Sequence, residues 1–161
     1  STTQSGVAEA SIASEVNTGT DAARYVSPDS LAGSYAGTKV LEGVAFDFTT
    51  DMATGDGKAY LTVPESAGGM NLVSVHARVI TAGTTGTCTI QLRNVTQAAD
   101  MLTTKISIDS AETGSDTAAT PAVIDTVNDD VAAWDLIAVD VDTIHTTAAK
   151  GLIITCEFRL P

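Results

Sequence analysis

The sequence is poor in the residues that most catalytic and ligand-binding proteins depend on. It has two cysteines, two histidines, one tryptophan and eight lysines and arginines in 161 residues. Cys88 and Cys156 are too few and too far apart for a disulfide framework or a zinc site. Each lies in an alternating apolar run, Cys88 with Ile90 and Leu92, Cys156 with Ile154 and Phe158. Both are therefore expected as buried, reduced core residues; a bridge would need their strands to be neighbours. The basic residues face twenty acidic ones, and the net charge of −12 repels phosphate backbones and anionic membranes, so neither nucleic acid nor membrane is expected as a partner. No apolar run approaches the ~20 residues that span a bilayer. The opening STTQSG has neither region of a signal peptide, and the expectation is a protein kept in the cytosol of its host until it joins something larger.

Recognisable reaction chemistry is also missing. His76 and His145 fall in different elements, outside any HExxH-type spacing, and each reads as a surface residue. No nucleophile elbow, phosphate loop or dinucleotide fingerprint occurs. Neither catalysis, cofactor nor metal is expected. The carboxylates Asp125, Asp129, Asp130, Asp135, Asp140 and Asp142 are numerous enough to hold Ca²⁺ if they converged, but their spacing matches no EF-hand loop. They read as a solvated acidic edge that discourages edge-to-edge strand pairing. Aromatics make up 4% of the chain, too few for a sugar-stacking platform, and Trp134 beside Ala132 and Ala133 reads as a lid over one end of the core. Asn94-Val95-Thr96 reads as a strand end rather than a glycosylation site.

What the chain does contain is period-two alternation. Val44, Phe46 and Phe48 share one face, and Ala59, Leu61 and Val63 another. Residues 71–81 give the longest clean strand, with Val73, Val75, Ala77 and Val79 inward. The turn at 82–86 makes a hairpin with 87–95. Further strands are expected around Thr104–Ile108, Ala122–Val127, Leu136–Asp142 and Gly151–Leu160, the last with Leu160 inward. About eight short strands and no long helical period predict an all-β fold, a single antiparallel β-sandwich; strand count, together with the resemblance described below, favours an eight-stranded jelly roll over an immunoglobulin-like sandwich. At this length one core is expected: an N-terminal docking arm over residues 1–38 and a β domain over 39–161.

The arm carries the most specified stretch, EVNTGTDAARYVSPDSL from Glu15 to Leu31. Asn17, Gly19 and Asp21 build a turn, and Ser27-Pro28-Asp29 starts a helix with Ser27 as N-cap. The stretch resembles a segment of the form A-E-V-x-x-G-T-D-x-x-R-[YF]-V-[TS]-P-x-x-L that recurs in tailed-bacteriophage virion structural proteins, tail fibres above all. Glu15, Val16, Gly19, Thr20, Asp21, Arg24, Tyr25, Val26, Pro28 and Leu31 meet it, while Ser14 stands where the pattern has Ala. Residues 94–125, 135–142 and 148–158 are also similar to small phage virion proteins. The resemblance implies a virion structural protein, either a capsid decoration (cement) or head-fibre protein, made in the bacterial host cytoplasm. It would be a homotrimer docked on the major capsid protein or another virion protein. Glu15, Val16, Asp21, Arg24, Tyr25, Val26, Pro28 and Leu31 would form the contact, with Arg24 as ion-pair donor and Val16, Tyr25, Val26 and Leu31 as apolar anchors. The alternative is a tail-fibre or receptor-binding knob that recognises a host surface glycan or protein through the loops 82–86, 110–120 and 143–150.

Overall fold

The structure, a computed structural model, describes residues 9–19 and 23–161. Its N-terminal segment contains two short helices, α1 (Ala13–Thr18) and α2 (Pro28–Ala32), and a 3₁₀ turn at Tyr35–Gly37. From Lys39 onward, β-branched and small residues alternating with polar ones make strands. They are β1 (Lys39–Asp51), β2 (Gly55–Thr62), β3 (Met70–Arg78), β4 (Cys88–Asn94), β5 (Ala99–Asp100), β6 (Leu102–Thr104), β7 (Ile106–Ile108), β8 (Val123–Ile124), β9 (Asp130–Val131), β10 (Leu136–Thr143) and β11 (Lys150–Arg159). The protein is all-β, and every pairing between these strands is antiparallel. One sheet has the order β1-β11-β3-β9. A second has the order β2-β10-β4-β5, with β7 also paired to β4, and β6 with β8 makes a small third.

A single apolar cluster draws on both large sheets, with Leu72, Ile154 and Phe158 from the first and Leu92, Ile137 and Val139 from the second. Each fully buried side chain of this size contributes about 1.5–3 kcal/mol. Cys156 lies in the first sheet and Cys88 in the second; both are fully buried and unbridged. Burial pushes each thiol up to about 12.

Several local expectations give way to long-range pairing. The segment 71–95 is not a hairpin, because β3 pairs with β11 in one sheet and β4 with β10 in the other. A register shift opposite Glu157 and Phe158 turns Leu72 inward, at 1% exposure, and leaves Val73 outward at 40%. Similar shifts after Val44 and Phe46 leave Val44 and Phe48 exposed, while Phe46 packs on the core. The strand expected at 122–127 shrinks to β8, and Leu160 lies beyond β11, exposed.

Candidate docking surface

The N-terminal segment is shaped by its caps. The Ile12 N–H donates to Glu15 Oε2 at 3.0 Å, and Gly19, in the left-handed region at φ 64°, closes α1 with its N–H on the Glu15 carbonyl. Ser27 caps α2 as its sequence predicts: its Oγ accepts from the Ser30 N–H at 3.1 Å, and Ser30 Oγ accepts from the Ser27 N–H at 3.0 Å. Pro28 follows at the first helical position, where its missing N–H costs nothing. Asn17 Oδ1 accepts from the Tyr35 N–H at 2.7 Å and ties α1 to the 3₁₀ turn. Arg159 of β11 braces the base of the segment, donating to Thr38 Oγ1 at 2.8 Å with its guanidinium 5.1 Å from the centre of the Tyr35 ring.

Among the described residues of this segment, those that are buried are Ser11, Ser30 and Ser34, whereas Ile12, Tyr25, Val26, Leu31 and Tyr35 are exposed. Of the contact residues read from the sequence, Tyr25, Val26, Pro28 and Leu31 are exposed and Glu15, Val16 and Arg24 are half-buried; Asp21 lies outside the described residues. Arg24 has acidic partners of its own. It is ion-paired within the chain, to Glu15 and, at 3.3 Å, to Glu9, and the Glu15 bond first, then the Glu15 and Glu9 charges, raise its pKa. It holds the segment in shape.

Of the six carboxylates read as a solvated edge, Asp130 and Asp142 are exposed, but three are not. Asp135, Asp129 and Asp140 are buried, and each accepts hydrogen bonds from the chain. Asp129 takes the Asn71 amide at 3.1 Å, Asp140 the Gly57 N–H at 2.6 Å, and Asp142 pairs with Lys105 at 3.0 Å. Among the described residues no three His, Cys, Asp or Glu side chains come together as a metal site.

Asp135 is the centre of a turn that the sequence reading misplaced. Its carboxylate accepts from Asn94 Nδ2 at 2.8 Å, Gln97 Nε2 at 2.8 Å and the Ala132 N–H at 2.9 Å. Burial alone would raise its pKa, but these bonds outweigh it and hold the carboxyl below the ordinary aspartate value. The turn carries Trp134, which is not a lid over the core. Trp134 is 68% exposed and its backbone is left-handed, at φ 71°. The only sequence signal was Asp135 itself, a turn-forming acceptor directly after the Trp.

The loops 82–86, 110–120 and 143–150 meet at the end of the domain opposite the N-terminal segment. Thr84 and Thr147 exchange backbone hydrogen bonds, Thr146 N–H donates to the Thr85 carbonyl, and Ala111 N–H to that of Gly83. Thr85 N–H donates to Ser110 Oγ at 2.8 Å. His145 is buried beneath Gly83, at 2% exposure, contrary to the surface reading.

Compared with protein-family models, curated proteins and solved structures, the chain gives no significant match.

Proposed function

We propose that the chain is a phage virion structural protein, a capsid decoration or cement protein or head fibre, that docks through its N-terminal arm and projects a jelly-roll domain outward. One observation carries the proposal: the arm is held in shape by caps and ion pairs, yet among its described residues it buries only serines and leaves five large apolar side chains on its surface. Large apolar side chains left together on a folded segment mark a surface for a partner to cover. Strand order supports the jelly roll. With β5 and β7 taken as one strand and β9 as the next, β1 pairs with β11, β2 with β10, β3 with β9, and β4 with β5 and β7. Eight strands nested first with last in this way are one long hairpin wound into two sheets. A homotrimer on the shell, repeated over many copies, would add interface area between capsid subunits and resist internal pressure. The role is mechanical and requires no catalysis.

A tail-fibre or receptor-binding knob is the second reading, favoured by the convergence of three loops at the end opposite the arm; their ligand would be a host surface glycan or protein. The test is deletion of Ser1 to Ala36. The truncated chain should remain folded and soluble but fail to attach to particles assembled without this protein. Full occupancy by the truncated chain would rule out the arm as the docking device.

A further inference from the structure

The turn at 132–135 stands at the same end of the domain as the arm. Lys39, where the arm enters β1, pairs with Phe158, which pairs with Leu72. Two residues before Leu72, Met70 pairs with Val131, just ahead of the turn. Between Thr62 and Met70 the chain runs along the turn: the Val63 carbonyl accepts from the Trp134 N–H at 2.9 Å, and the Val63 N–H donates to the Asp135 carbonyl at 2.8 Å. Gly68 lies so close that a Cβ there would come within 2.8 Å of the Ala133 nitrogen. With the donors on the Asp135 carboxylate, these contacts fix the turn from two segments, 63–68 and 94–97.

A bulky residue in the left-handed region is strained, and such strain persists only where the surroundings impose it. Glycine would fill position 134 without that strain. The position instead holds the only tryptophan of the chain, with its indole directed to solvent. An exposed indole on a fixed backbone has only its two side-chain torsions to lose on binding, and tryptophan is enriched in the hot spots of protein interfaces.

We propose that Trp134 is a second docking anchor, which enters an apolar pocket on the same partner protein that receives the arm. Exposed Asp130, just ahead of the turn, and exposed Glu65, just beyond Val63 on the segment that bonds Trp134, put negative charge at this end of the domain, so the pocket is expected to have a basic rim. The inference rests on the docking function proposed above and fixes the face of the domain turned toward the partner.

The test uses full-length wild-type protein, Trp134→Gly and Trp134→Phe, titrated onto particles assembled without this chain. Trp134→Gly removes the indole and the backbone strain together, so its denaturation midpoint should equal or exceed that of the wild type. Its half-saturation concentration should rise by at least about tenfold, with Trp134→Phe between the two. Equal half-saturation for wild type and Trp134→Gly overturns the anchor while leaving the docking function intact. Failure of the wild type to bind overturns both. Normal particle binding by Trp134→Gly, coupled with loss of retention on host envelope polysaccharide that the wild type binds, would make Trp134 a sugar platform and overturn the anchor.

Discussion

Single residues in this protein are committed to holding loops in place, and Asp135 is the clearest example. Its hydrogen bonds favour the ionised carboxylate, so its folded pKa lies below its unfolded value. The stability it contributes is present above the ordinary aspartate range and is lost as pH falls through the lowered folded value. Asp135→Ala leaves the buried Asn94 amide and its companions without their acceptor, at an expected cost of about 1.5–3 kcal/mol at pH 7. The measurement is urea unfolding of both proteins at pH 7 and below pH 3: the gap between them should narrow in acid. A gap that stays constant would mean that the charge on Asp135 is not what the turn depends on.

At the scale of elements, register decides which side chains reach the core. β1 lies against β11 with two shifts in register, and Gly151 sits in this irregular region at φ 67°, where a Cβ would approach the Phe48 Cα to 2.8 Å. Gly151→Ala therefore adds a left-handed alanine and a backbone collision, and should destabilise by at least about 1–2 kcal/mol, read from the denaturation midpoint. An unchanged midpoint would show that β1 can shift away at no cost. The strands themselves were readable in the sequence because period two is a local property: the inward faces of β10 and most of β11 follow directly from it. Their partners were not. The residues 71–81 and 87–95 have a hairpin's spacing but pair elsewhere, and nothing within Leu72–Val73 announces a bulge set by Glu157 and Phe158. The α2 cap was readable because Ser27, Pro28 and Ser30 act over one turn. The fates of Trp134 and His145 were not, since each depends on segments distant in sequence.

For the whole molecule, polarity is the main consequence of the fold. The arm and Trp134 are at one end, and the interlocked threonine-rich loops are at the other. If the protein functions as proposed, the purified wild-type chain should be trimeric by light scattering at micromolar concentration, since the exposed Val40, Val44 and Phe48 of the edge strand β1 offer a face for a second copy to cover. A monomer would mean that the copies meet only on the particle.

The pairing of β1 with β11 also has a temporal side. During synthesis β1 emerges early, but its hydrogen-bonding partner and the arginine that braces the base of the arm, Arg159, come more than a hundred residues later. Closing so long a loop carries a high entropic cost and slows folding. The arm therefore gains its firm footing only after β11 has been made; if it docks as proposed, incomplete chains cannot compete for places on a growing particle.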